Sequence, residues 1–446
     1  MIVPNWCQIS LDTTKKILSK TEDIFGLKNG STLYTPLLNL FVENNVKFKR
    51  LNNSYLMISI GKLIKKINTN CFIYKIEIEK KRKGRRNINE IRKAFIKEIP
   101  LIHLNYSKIY QLYNKKPIDL KYLNFNITEN IWSINNPAYI EQLCSYLLSN
   151  LVENDICPHF PLYYGSVFGF KQNFGYFKNK ISSDYLDNIS DNYTLINDNE
   201  GEIVYIPDIP TQILITEDVG IELYNLIYER QFNYTFYKSI FFQVSAALNI
   251  IQTKYQMTHN DLHINNIMCK YTKKKYLYYK YNNQLFKVPT FGIIVKIIDW
   301  GRGLLKLNDQ LLWNNIYNTN NSASGQYKNP KICFNKSKEY TINRSFDITI
   351  FSYSFLNELK QCNILKWNKF TRFLYKNCQL SDKLTTNIYD KYNINNKLSF
   401  QMYLDIVKYQ NINIPINIIN NEIFNNFKYT ILDYDNVKKI KYYLLQ

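Results

Sequence analysis

In the stretch His259-Asn260-Asp261-Leu262-His263-Ile264-Asn265-Asn266 a carboxylate is followed five positions later by a carboxamide. Ahead of it, from Thr235 to Gln256, Ile240, Phe241, Val244, Ala247, Leu248 and Ile251 recur at the spacing of one helical face. Behind it, Phe291 to Ile298 is a strongly apolar run that reads as a buried strand and ends in Asp299-Trp300-Gly301. The order is helix, polar loop, then a strand that delivers a second acid beside a glycine. Thirty-three positions separate Asn266 from Asp299, and Lys273 to Pro289 reads as a hairpin inserted in that gap, which a surface turn tolerates.

Those parts suit phosphoryl transfer from a nucleotide. One carboxylate, Asp261, can orient an attacking hydroxyl and accept its proton. An amide oxygen from Asn266 and the carboxylate of Asp299 can hold Mg²⁺ against phosphates. Gly301 is expected to let the chain turn tightly beside the ion. A rival use of His259, Asp261 and His263 as alternating zinc ligands lacks further ligands, because only His103 and His159 remain and neither sits in a ligand motif.

On these residues the sequence resembles the protein-kinase-like superfamily. His259-x-Asp261 with Asn266 is similar to the catalytic loop HRDxxxxN, and Asp299-Trp300-Gly301 is similar to DFG with Trp for Phe. YQMTHNDLHINNIM and VPTFGIIVKIIDWGR look like serine/threonine kinase-like proteins of large cytoplasmic DNA viruses. The resemblance covers residues ~60 to ~360 and has specific motifs only over 235–301. It implies an α+β, two-lobed fold with a β-rich N-lobe carrying one helix, a mainly helical C-lobe, and the active site between them. It also implies ATP and Mg²⁺ as cofactors and a protein as substrate.

Further roles follow from the resemblance alone. Ala94-Phe95-Ile96-Lys97 is similar to the strand VAIK, so Lys97 is expected to contact the nucleotide phosphates, with Lys75 as its competitor. Glu141, the acid in the body of the 137–151 helix, is the expected partner of that lysine. Residues 213–220, including Glu217, would form the hinge where adenine docks. Gly61 is the glycine nearest the place of a phosphate-covering loop, although no GxGxxG is present. Asp347 resembles the buried aspartate that braces the catalytic loop. His263 stands where serine/threonine kinases carry Lys. It looks like the aminoglycoside/choline phosphotransferase branch, and no APE segment follows Asp299. A small-molecule kinase and a pseudokinase acting as an interaction module are therefore the alternatives.

Along the rest of the chain, residues 1–55 read as an N-terminal extension of unclear role, 56–217 as the N-lobe with an insertion near 171–210, and 218–446 as the C-lobe. Cys71 to Glu79 and Lys93 to Ile99 alternate as strands, with the basic run Lys80 to Arg86 as the loop joining them. Asn136-Pro137 opens a helix, Asn as cap and Pro in the first turn. The eight cysteines form no CxxC pair, which fits a reducing compartment. Without a signal peptide or an apolar run long enough to span a bilayer, a cytoplasmic protein, in host cytoplasm or virion, is expected. The net charge of +21 predicts attraction to polyanions, though abundant Asn, Ile, Lys and Tyr also follow from AT-rich coding. Nucleic-acid binding is thus permitted but not favoured, since no aromatic-basic motif of a known module is visible.

Overall fold

The computed structural model describes residues 11–28, 30–33, 36–37, 54–82, 85–102, 131–181, 193–198, 201–229, 233–307, 310–318, 322–327, 343–381, 384–392, 399–408, 413–429 and 441–445. His103 lies outside them. The chain divides into two compact units, one of residues 1–150, 162–218 and 314–324, the other of 151–161, 219–313 and 325–446.

The first unit is built on a five-stranded antiparallel sheet of order β1-β2-β3-β8-β4, with β1 Tyr55–Asn68, β2 Cys71–Arg82, β3 Arg85–Pro100, β4 Tyr163–Lys171 and β8 Ile209–Glu217. Along β2, Tyr74, Ile76 and Ile78 are buried and Lys75 is exposed, the period-two pattern that lets a strand cover a core with one face. The basic run is mostly strand rather than loop: β2 continues to Arg82 and β3 begins at Arg85. Solvated lysine and arginine side chains do not prevent backbone pairing, so charge alone marked this turn too long.

Helix α1 (Leu11–Phe25) packs on one sheet face through Phe25, whose ring lies 5.4 Å from Tyr74 and 6.4 Å from Phe72. The segment after α1 thus pairs with the sheet, Leu27 and Thr32 bridging to Lys171 and Phe168. Helix α2 (Pro137–Glu153) covers the other face, with Tyr139 against Phe168 at 5.3 Å. Its start is capped by Asn136, whose Oδ1 accepts from the Ala138 N–H at 3.0 Å. The stretch after β4 carries a small sheet of β5 (Phe174–Phe177), β6 (Thr194–Asp198) and β7 (Gly201–Ile206), in order β5-β7-β6.

In the second unit, β9 (Ile221–Glu222) leads to α3 (Leu223–Glu229) and α4 (Tyr234–Tyr255). Asn233 caps α4, its side chain accepting from Phe236 N. Nearly every residue of α4 is buried, as expected for a helix apolar on most sides. Phe241 stacks on Phe351 of α5 (Phe346–Gln361) at 5.2 Å, and Phe242 meets Tyr279 and Phe286 at 5.4 and 5.2 Å. Strands β10 (Ile267–Tyr271) and β13 (Ile293–Ile297) pair antiparallel, and β9 joins β10 on its other side. The segment between them folds as the expected hairpin, β11 (Tyr276–Tyr281) with β12 (Gln284–Pro289). Helix α6 (Phe400–Lys408) follows in the C-terminal part. Among the described residues no helix is long and apolar enough to cross a membrane.

Candidate active site

The register of β10 and β13 removes the thirty-three-residue separation. Ile267 pairs with Ile297, and the Ile298 N–H donates to the Asn266 carbonyl at 3.1 Å, so Asn266 and Asp299 leave the same end of one hairpin. Asp299 has φ 62, and the chain then turns tightly at Gly301 and Arg302, as expected of that glycine, with the Gly303 N–H donating to the Trp300 carbonyl at 2.8 Å. Trp300 is buried and tilts over the His259 ring at 4.6 Å between centroids.

Asp347, fully buried in the first turn of α5, accepts from the backbone N–H groups of His259 at 2.9 Å and Asn260 at 2.8 Å. Burial pushes its carboxyl up from the ordinary range, and the two N–H groups and His259 pull it back. Asn260 needs such support because its φ is 63, a left-handed conformation. His259 donates from Nε2 to the Ile298 carbonyl at 2.8 Å and accepts at Nδ1 from the Asp261 N–H at 3.3 Å. Both nitrogens are thereby engaged, which leaves neither to ligate zinc. Among the described residues no group of three His, Cys, Asp or Glu side chains is placed to hold a metal.

The Asp261 carboxylate receives two side chains that sequence reasoning missed. Tyr403 of α6 donates its hydroxyl to Oδ1 at 2.5 Å, and Arg302 Nε stands 3.4 Å from Oδ2. The Arg302 guanidinium lies 5.5 Å from the centre of the Tyr403 ring, and Tyr403 is itself buried against Phe346 at 5.8 Å. Arg302 directly follows the Asp-Trp-Gly triplet, which was a signal available in the sequence; Tyr403 had none.

Asn266 donates its amide to the Asp261 carbonyl at 2.8 Å and toward His263 Nε2 at 3.3 Å. That makes Nε2 an acceptor and puts the proton on Nδ1, a buried atom with no hydrogen-bond partner among the described residues. Burial drives the His263 pKa down, opposed by Asp261 and Asp299, so the ring is neutral near pH 7. A point-charge substitute for a lysine is therefore not what His263 provides.

In the first unit, Lys97 Nζ contacts both Glu141 oxygens, at 2.8 and 3.0 Å, with Glu141 nearly buried. The register pairs Lys97 with Cys71 at the start of β2, beside the β1–β2 turn at Thr69–Asn70. Gly61 is not in that turn. It lies inside β1, where a β-carbon would come within 2.9 Å of the Lys75 carbonyl, so close strand approach explains this glycine. Lys75 is exposed on β2. Glu217 ends β8; its carboxylate accepts from Leu162 N–H at 3.2 Å, so the side chain braces β4.

The donor set fits a magnesium nucleotide: Asn266 and Asp299 offer hard oxygen ligands, and Mg²⁺ commonly uses one or two carboxylates plus substrate phosphates. A strand-rich unit carrying a Lys–Glu pair, and a second unit carrying a braced Asp loop beside an Asp-Trp-Gly turn, together mark a protein-kinase-like chain. Local sequence similarity agrees. The chain is 38% identical over 63 residues to bovine (Bos taurus) serine/threonine-protein kinase haspin, covering 14% of this chain and 8% of that protein. It is 30% identical over 88 residues to the haspin homolog of Drosophila melanogaster, covering 19% and 16%. To a protein of Acanthamoeba polyphaga mimivirus named as a serine/threonine-protein kinase it is 39% identical over 71 residues, covering 15% and 18%. In each case the match spans less than a fifth of the relative's length. No family model matches the chain.

Proposed function

We propose that the chain is an ATP-dependent phosphotransferase that moves the γ-phosphoryl group of ATP to a hydroxyl, with serine or threonine of a protein as the acceptor. The observation that carries this reading is the hydrogen bond from Ile298 to Asn266, with β10–β13 register behind it: the candidate metal ligands Asn266 and Asp299 leave one hairpin end, and the Asn266 amide donates to the Asp261 carbonyl. The names of the kinase relatives support the acceptor class. In this reading 56–217, with an insertion near 171–210, is the N-lobe and 218–446 the C-lobe, residues 1–55 forming the extension before them.

Asp261 orients the acceptor hydroxyl and takes its proton as the new bond forms. Lys97, held by Glu141, contacts the α- and β-phosphates, and the backbone of 213–220 receives adenine. Asn266 and Asp299 would hold Mg²⁺, which supplies charge neutralisation on the phosphates. Neutral His263 can donate a hydrogen bond from Nδ1–H.

The test is a thermal-shift titration with Mg-ATP and a transfer assay on basic protein, acidic protein and amino-sugar acceptors. A ligand at a hundredfold its Kd stabilises by about 2.7 kcal/mol. Asp299→Ala should abolish the shift, and Lys97→Ala should weaken it while Lys75→Ala does not. Asp261→Asn should keep the shift and lose turnover; full activity in that variant refutes the assignment. A second reading, a pseudokinase interaction module, draws on Tyr403 and Arg302 engaging both Asp261 oxygens and on a β1–β2 turn without glycine. Absence of any Mg-ATP shift in the wild type would favour it.

A further inference from the structure

The hairpin inserted between the two halves of the candidate site does more than bridge a gap. It is the middle of a four-stranded sheet in which Lys428–Tyr429 adds to β12 and Tyr443–Leu444 adds to β11. The inner face is apolar and buried: Leu277, Tyr279, Phe286 and Val288 pack toward α4. Alternation then sends Tyr276, Tyr278, Lys280 and Lys287 to the outer face, and the register places Tyr429 and Tyr442 beside them.

On that face the rings and the cations interleave. Tyr276 and Tyr278 have centroids 6.5 Å apart, and Tyr278 and Tyr429 have centroids 6.3 Å apart. Lys287 Nζ lies 4.4 Å from the Tyr276 ring centre and 5.2 Å from that of Tyr429, while Lys280 Nζ lies 5.3 Å from that of Tyr442. Tyr276 and Tyr442 are 41% and 37% exposed, far above what a core aromatic shows. The four strands contain no Asp or Glu, and the turn entering β11 adds exposed Lys273, Lys274 and Lys275. The two interior-side rings of β11 and β12 are explained by the core; on the outer face Leu285, opposite Lys280 and Tyr429, is buried beneath the rings, while Tyr276 and Tyr442 stay open to solvent among the described residues.

We propose that this outer face binds single-stranded nucleic acid. Every base has a π-face that can stack on an aromatic side chain, and lysines between the rings meet the backbone phosphates, a combination that works without base-specific contacts. Lysines already held over tyrosine rings are ordered before binding, which lowers the entropy lost on capture. The rings single out unpaired strands over duplex, whose bases are already stacked on one another, and over anionic lipid, which offers charge without flat faces.

The proposal stands independently of the kinase reading and is tested on the full chain without ATP. Fluorescence anisotropy would follow labelled oligo-uridine and oligo-thymidine of about 15 nucleotides, enough for one such platform, against a duplex of equal length. Both single strands should bind more tightly than the duplex, and their difference reports whether RNA or DNA is preferred. Tyr276→Ala with Tyr278→Ala should weaken binding about tenfold or more. Lys280→Gln with Lys287→Gln should flatten the slope of log affinity against log salt by about 1.4, close to 0.7 per lysine. Circular dichroism and thermal midpoints check that each variant is folded, and the lysine pair tests the face if the tyrosine pair is not. No binding at about 50 mM salt, equal affinity for duplex, or unchanged salt slope in the lysine variant overturns the proposal. So does preferential binding of phosphatidylserine vesicles that single strands fail to displace.

Discussion

Replacing His159 with glutamine should destabilise the protein at pH 8 and do so much less at pH 5. The imidazole is fully buried, its Nδ1–H donating to the Val295 carbonyl at 2.9 Å and its Nε2 accepting from the Tyr279 hydroxyl at 2.7 Å. Burial, more than nearby Lys296, lowers its pKa from 6.5 to about 3. The folded state therefore binds fewer protons than the unfolded state between those two values, so this group's contribution is intact above pH 6.5 and declines as pH falls toward 3. At pH 5 the unfolded histidine is mostly protonated and the folded one is not, which costs the wild type about 2 kcal/mol relative to pH 8. Glutamine does not titrate and escapes that cost. Its loss of a ring and of one or two hydrogen bonds should be about 1–3 kcal/mol at pH 8. Urea unfolding followed by circular dichroism at both pH values gives the two differences, with m-values checked for equality. Acids such as Asp347 titrate in both proteins and cancel. The difference between wild type and variant should shrink by about 2 kcal/mol on going to pH 5; a difference that stays constant would mean His159 is not held neutral by burial.

Two further substitutions probe the candidate site. Asp347→Asn keeps the shape but offers one oxygen to two backbone donors, so it should lower stability by about 1–3 kcal/mol and reduce phosphate transfer while Mg-ATP still shifts the thermal midpoint. An unchanged turnover would show that the brace is dispensable. Tyr403→Phe removes the hydroxyl on Asp261; a hydrogen bond to a charged group is worth about 1.5–3 kcal/mol, so kcat should fall tenfold or more with KM for ATP unchanged. A rise in kcat would show that Tyr403 blocks the acceptor rather than positions the carboxylate.

Local spacing already marked the elements whose information is local. The apolar face of α4, the Asn136-Pro137 start of α2 and the apolar run of β13 each lie within one segment, where period and capping chemistry act between near neighbours. The candidate loop acids and Asn266 were legible for the same reason, as a fixed spacing of residue types in one loop. The hairpin between them could be inferred because a strand of given direction must return before it can pair.

What only the folded chain decided is set by contacts across long stretches of sequence. Tyr403 meets Asp261 across 142 residues, and Tyr429 and Tyr442 reach the inserted hairpin through strand pairings that carry no mark in their own short segments. In a chain with 38 tyrosines, residue type cannot say which ones reach a carboxylate, fill a core or face solvent. Gly61 had the same difficulty: glycine is required both where backbone turns and where strands crowd, and the register of β1 on β2 distinguishes the two. Composition and spacing act along the chain, whereas these assignments depend on which distant segments pack together.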